Sequence, residues 1–132
     1  MTDEPQKIPG LPGYLGLQLG EHGDGWLEMT LPVGAHLMAP NGFLHAGSVV
    51  TLADSACGIA CTYHLPEGAA GFTTIELKSN FLGTALDGTL HCRAEAEHLG
   101  KTTHVWSAKV THVETGRTIA LFRCTQMVLR AK

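Results

Sequence analysis

The chain has 132 residues, 44% of them hydrophobic, and carries a formal net charge of −3. That length suits a single domain spanning 1–132 and leaves no room for a separate cofactor domain. The charge offers nucleic acid no bulk attraction, and no stretch approaches the ~18 consecutive apolar residues of a membrane-spanning helix.

The N-terminus, "MTDEPQKIPG", is polar and acidic where a signal peptide needs a basic start and an apolar core. A cytoplasmic location is therefore expected, and Cys57, Cys61, Cys92 and Cys124 are expected to stay reduced. Cys57 and Cys61 lack the C-x-x-C spacing of a zinc or redox motif and suit buried small thiols. Residues 1–13 are expected to be flexible or turn-rich, because "PGLPGYLGL" is dense in helix breakers and supports at most a short turn.

Next, "LGLQLGEHGDGWLEMTLPV" gives two extended runs about the turn "EHGDG". In the second run Leu27, Met29 and Leu31 alternate with Trp26, Glu28 and Thr30, the pattern of a half-buried strand. "GAHLMAPNG" is a loop punctuated by Gly34, Pro40 and Gly42. The spacing of Leu44, Ser48 and Leu52, and of Val49, Ala53, Ala56 and Ala60, predicts a helix from Leu44 to about His64. It is apolar on nearly all sides, as a helix enclosed by other elements must be. "FTTIELKSNFL", "TLHCRAEAEHL", "TTHVWSAKVTHV" and "TIALFRCTQMVL" follow as four strands, expected to form a meander. An α+β fold results, a curved antiparallel sheet wrapped around one long central helix.

Asp54 sits in the middle of that helix. Burying an ionised carboxylate without a partner costs several kcal/mol, on the order of the penalties for unpaired buried charge. Three explanations are open: an ion pair with Lys78 or Arg123 of the sheet, a solvent-facing position, or a catalytic role. The eight histidines suggest no metal site, because no H-x-x-x-H or H-E-x-x-H pair occurs. Glu76 shares a strand face with Lys78 and reads as structural; Trp106 reads as core or pocket wall.

The stretch Gly42-Phe43-Leu44-His45-Ala46-Gly47, with an acid seven residues on at Asp54, resembles the motif of the hotdog-fold acyl-CoA thioesterases. The resemblance is to their PaaI and 4-hydroxybenzoyl-CoA thioesterase branch. It runs from about Leu15 to Leu129 and includes "GFTTIELKSNFLGTALDG", which is similar to the family's third strand and following turn.

The resemblance implies hydrolysis of an acyl-CoA or aryl-CoA thioester without a cofactor. Asp54 would act as general base or nucleophile, the Ala46 backbone N–H would polarise the carbonyl, and Thr74 would help hold the lytic water. His45 would order the helix start, with Gly47 and Asn41 near the substrate. Lys101, Thr102 and Thr103 of "GKTTH" would contact the nucleotide or pantetheine end, with Arg130 a further candidate; for Lys101 a solvated turn is the alternative. The sequence departs from the pattern twice. Ala46 stands where the family has Gly, which matters only if the site demands positive φ. Ala39 stands where many relatives carry Asn or Gln.

This chemistry suits the residue types, since a helix N-terminus presents free N–H groups and a positive dipole end to a carbonyl oxygen. Eight residues separate Ala46 from Asp54, ~12 Å along a continuous helix, too far for one carbonyl to reach both. In the family each site pairs one chain's helix start with the other chain's acid, so a homodimer, or a dimer of dimers, is expected. A non-catalytic acyl-CoA-binding module is the alternative. A hotdog hydratase or dehydratase fits less well, because the position of its Asp, five residues before the His, is Pro40.

Overall fold

The computed structural model of the chain describes residues 8–131. A short helix α1 (Leu11–Leu15) leads into β1 (Gln18–Gly23) and β2 (Trp26–Pro32). A 3-10 turn (Ala35–Leu37) precedes the long helix α2 (Ala46–Tyr63). Four strands follow: β3 (Ala69–Phe81), β4 (Thr89–Leu99), β5 (Thr103–His112) and β6 (Thr118–Arg130). They form one antiparallel six-stranded sheet in the order β1-β2-β4-β5-β6-β3, and α2 packs across one face of it. This is the hotdog arrangement of sheet and enclosed helix.

In the described part of the N-terminal segment α1 packs on α2, and a Cβ on the buried Gly13 would overlap the Ile8 carbonyl. Residues 1–7 lie outside the described part. Two details differ from expectation. The β1–β2 turn is only Asp24-Gly25, with Gly25 at φ 81° and Gly23 paired to Trp26. An Asp-Gly pair suits so tight a hairpin better than the five-residue loop expected.

The larger difference is the path of the last four strands. Only β4, β5 and β6 form a meander; β3 pairs with β6 at the sheet edge rather than with β4. Side-chain alternation fixes the face a strand presents to the core. Its neighbour is chosen through backbone hydrogen bonds that all sequences share. Burial separates the two strands: Leu90, Cys92 and Ala94 of β4 are at 0% exposure, whereas most of β3 is exposed. Charges such as Glu76 and Lys78 are the usual protection of an edge strand.

The core lies between α2 and the inner sheet face. Leu52, Ala53, Ala56, Cys57, Ala60 and Cys61 meet Leu27, Met29, Leu31, Leu90, Trp106 and Val110, all at 0% exposure. The small helix residues bring the backbone close to the sheet, which leaves room for Trp106. All four cysteines are buried free thiols. At its C-terminal end α2 is tied down by His64, whose Nδ1 bonds Ala60 O at 2.7 Å while Nε2 accepts from Gly25 N–H at 2.8 Å. No helix among the described residues is long and apolar enough to cross a membrane.

Candidate active site

The start of α2 is built by a short network. His45 N–H donates to Leu37 O at 3.0 Å, Leu44 N–H to Thr84 Oγ1 at 3.0 Å, and Ser48 Oγ to Leu37 O at 2.9 Å. His45 is the N-cap, with φ −65° and ψ 133°, and its Nδ1 accepts from Gly47 N–H at 2.8 Å. That bond satisfies one of the orphan donors of the first turn and puts the proton of a neutral ring on Nε2. Gly47 therefore serves the cap: its N–H is taken, and a Cβ there would lie 3.0 Å from His45 Nδ1.

Ala46, the first helical residue, is exposed and its N–H has no acceptor among the described residues. Among the described residues none other than glycine has positive φ, so Ala46 adopts its place without the strain that would have demanded glycine. Asn41 is exposed, and its Oδ1 accepts from Phe43 N–H at 3.2 Å, shaping the loop before the cap.

Asp54 lies two turns further along, half-buried, on the side of α2 that faces β3. No ion pair among the described residues includes it. Neither sheet cation considered as a partner reaches it, since Lys78 and Arg123 oppose each other on the outer sheet face. Its one side-chain hydrogen bond among the described residues comes from Thr74 of β3, whose Oγ1 donates to Asp54 Oδ1 at 3.4 Å. Burial pushes the Asp54 pKa up, and the Thr74 bond opposes part of that rise. A carboxylate stripped of water and without a counter-ion is a stronger base than an exposed one.

Beside Asp54 runs an apolar groove of about 230 Å³, lined by Ile8, Pro12, Gly58, Ile59 and Phe72 among others. A Cβ on Gly58 would come within 3.0 Å of Phe72 Cζ, so glycine sets how closely the ring approaches the helix. Sequence reasoning missed Gly58, Phe72 and the N-terminal wall of this groove. The spacing held a signal, since Gly58 is one helical turn beyond Asp54. A second, larger hollow of about 390 Å³ lies on the outer sheet face among Lys78, Arg93, Lys109 and Arg123. It is remote from both Asp54 and the start of α2.

The "GKTTH" segment is a turn held by its backbone. Arg130 donates to Lys101 O at 2.7 Å and also to Glu67 O, while Val128 N–H donates to Thr102 O at 2.9 Å. Lys101 and Thr102 are exposed and Thr103 is half-buried at the start of β5. Arg130 is a clamp between two loops. Among the described residues no group of three or more His, Cys, Asp or Glu side chains is arranged to hold a metal ion.

The family model of the thioesterase superfamily matches residues 41–120, the stretch from the loop before α2 into β6. The chain belongs to the thioesterase superfamily. It is 31% identical, over 93% of its length and 98% of the relative's, to a 1,4-dihydroxy-2-naphthoyl-CoA hydrolase of Listeria monocytogenes. It is 30% identical to the acyl-coenzyme A thioesterase PaaI of Escherichia coli, covering 83% of this chain and 75% of that one. A thioesterase family protein from Silicibacter pomeroyi superposes with a TM-score of 0.81 at 36% identity, covering 91% of this chain and 89% of the other. This thioesterase is thus a thioester hydrolase with the hotdog fold.

Proposed function

We propose that this thioesterase hydrolyses an acyl-CoA or aryl-CoA thioester to the free acid and CoA, with Asp54 as general base or nucleophile. The observation that carries the proposal is Asp54 itself: an acid without a counter-ion, held by Thr74, beside an apolar groove. As base, Asp54 takes a proton from water while the water oxygen attacks the thioester carbon. Collapse of the adduct breaks the C–S bond and releases the CoA thiolate, which takes up that proton. As nucleophile, the Asp54 carboxylate attacks and expels the CoA thiolate to form a mixed anhydride, which water then cleaves to the free acid and the restored carboxylate. Either way the carbonyl oxygen gains negative charge, which a free helix-start N–H stabilises. The two relatives whose names specify CoA thioesters support this substrate class, and the naphthoyl substrate of one supports an aromatic acyl group. Phe72 offers such a ring a face in the groove.

The oxyanion donor in this proposal is Ala46 of the partner subunit. Ala46 and Asp54 are ~12 Å apart along one α2, so a single chain cannot bring both to one carbonyl. The groove is open on one side and, at about 230 Å³, smaller than the ~300–1,000 Å³ typical of pockets that enclose a small-molecule ligand. A second copy would complete it. β3 supplies the docking edge: it is the last strand of the sheet and exposes Ile75, Leu77 and Phe81. A homodimer is proposed, with a dimer of dimers as its further assembly. Buried free thiols suit the reducing cytoplasm in which the enzyme is proposed to work.

The test is release of free thiol from a panel of acyl-CoA and aryl-CoA esters by wild type and Asp54→Asn. A loss of ~10²-fold or more in the variant is expected for removal of a base or nucleophile. Equal activity in both proteins overturns the role of Asp54. Light scattering that finds a monomer at working concentration overturns the composite site.

A further inference from the structure

Behind Asp54 a row of polar side chains crosses three strands. Thr74 of β3 stands directly opposite Gln126 of β6, and Gln126 directly opposite His104 of β5. Directly opposed residues of antiparallel strands project from the same face, with Cβ atoms about 4.5–5.5 Å apart. That face is the inner one, since Gln126 is at 0% exposure and His104 at 1%. Yet neither amide atom of Gln126, nor Nε2 of His104, has a hydrogen-bond partner among the described residues. Leaving such a group unpaired in a core costs about 1–3 kcal/mol, and a Leu or Met in the same space would avoid it.

The two ends of the row are bonded, and their polarity is fixed. Trp106 Nε1–H donates to His104 Nδ1 at 3.3 Å. A neutral His104 then carries its proton on Nε2, and burial, with His64 and His98 nearby, holds its pKa down in favour of that form. At the other end Thr74 Oγ1–H donates to Asp54. Between these ends the unpaired atoms are chemically complementary: His104 Nε2–H can donate to Gln126 Oε1, and the Gln126 amide can donate to Thr74 Oγ1. A change of Gln126 rotamer, or one bridging water per gap, would close the row without reversing any donor.

We propose that Trp106, His104, Gln126 and Thr74 form a one-directional hydrogen-bond relay ending on Asp54, with Gln126 as the positioning residue. Thr74 has one hydroxyl proton, and a donor from Gln126 into its lone pair forces that proton toward the carboxylate. Asp54 is thereby held in the rotamer that faces the groove. The inference rests on the assignment of Asp54 as the reacting acid. Among the described residues the fully buried titratable groups are thiols and imidazoles. From α2 comes Cys57, its pKa raised by the Cys124 sulfur, by burial, and by the charges of Cys92 and Asp54. From the sheet come Cys124, Cys92 and His104, and His64 lies at the helix end. Glu76 and Lys78 of β3 lie on the outer face, paired with Thr125 and Arg123. The short α1 contributes only Tyr14, at 82% exposure.

The test follows the Asp54 carboxyl by carbon-detected NMR titration, alongside the pH profile of kcat, in wild type, Gln126→Met, Thr74→Val and the double variant. Gln126→Met conserves volume. It is expected to lower kcat about five- to tenfold with KM within twofold, the size of one lost neutral hydrogen bond. Both the Asp54 titration and the acidic limb should move upward, as they do in Thr74→Val, and the double variant should move no further than Thr74→Val alone. Should Gln126→Met fail to fold, His104→Phe cuts the row one link earlier and should move the titration the same way by less. An Asp54 titration unmoved in the folded variant, or fully additive shifts, overturns the relay. Because the NMR readout needs no turnover, an inactive wild type with a relay-dependent Asp54 would overturn the hydrolysis proposal and leave the relay standing.

Discussion

On the side of α2 that meets the sheet, Leu52, Ala53, Ala56, Cys57, Ala60 and Cys61 are all at 0% exposure. On the side that meets the groove, Asp54, Ser55 and Ile59 are half-buried and Thr62 is exposed. One helix of 18 residues thus serves as the centre of the core and as the wall of a candidate active site. The difference teaches where each kind of information sits. The inner face is continuous and apolar and specifies the fold; the groove face breaks that pattern at Asp54 and is the face proposed to carry the chemistry. Substitutions on the two faces should therefore separate stability from catalysis.

The largest expected effect in stability is on the inner face. Leu52 is fully buried against the sheet, so Leu52→Ala loses transfer free energy and leaves a cavity. The expected cost is about 2–5 kcal/mol, measured as a shift of the denaturant midpoint at unchanged m-value. Activity per folded molecule should stay within twofold. A tenfold fall in kcat in the folded fraction would show that the two faces are coupled, and the division between them would fail.

Helical spacing and strand alternation made the inner face legible in the sequence. Leu52, Ala56 and Ala60 repeat at helical period, and Leu90, Cys92 and Ala94 alternate cleanly in β4. Both patterns come from one demand, that apolar side chains leave water. The edge position of β3 was not legible, because strand partnering depends on backbone bonds that no side chain encodes. At the candidate site Asp54 stood out as a polar break in an apolar run, with an ion pair still open, while His45 entered through the family resemblance as the residue that orders the helix start. Gln126 breaks the run "TIALFRCTQMVL" in the same way, on the inward side with Cys124 and Val128, but its meaning depends on Thr74 and His104. Those neighbours lie 52 and 22 positions away in the chain and meet it only through sheet register.

An intermediate effect is expected at the seam between the two faces. Gly58 lies in the helix interior, where Gly→Ala ordinarily gains roughly 1 kcal/mol. Here the added methyl would meet Phe72 Cζ at 3.0 Å and Cε2 at 3.5 Å, so the ring must shift by a few tenths of an ångström. The two terms oppose each other, and the net stability of Gly58→Ala should lie within about 1 kcal/mol of wild type. The displaced ring narrows the groove. KM for bulky aryl-CoA esters should rise about three- to tenfold while short acyl-CoA esters are spared, which steady-state kinetics on a size series would read. An equal rise for every ester would place the acyl group elsewhere.

The smallest effect concerns Asp54 apart from its proposed chemistry. Its folded-state pKa is raised, chiefly by burial, so the folded protein holds the proton more tightly than the unfolded chain does. Such an acid favours the folded state while protonated. That contribution is present below the unfolded carboxylate pKa and is lost as pH rises through the raised folded value. At neutral pH the ionised carboxylate is therefore a net cost, offset in part by Thr74. Asp54→Asn removes the charge and keeps a similar shape, so the variant should melt higher than wild type at pH 7, by roughly 2–5 °C. The gap should close as pH falls through the carboxylate range, because wild-type Asp54 then also becomes neutral. Scanning calorimetry of both proteins from acid to neutral pH measures it. A variant that melts lower than wild type at pH 7 would mean that the charge stabilises the fold, as a structural ion pair does, and the groove face would lose its distinction from the inner one.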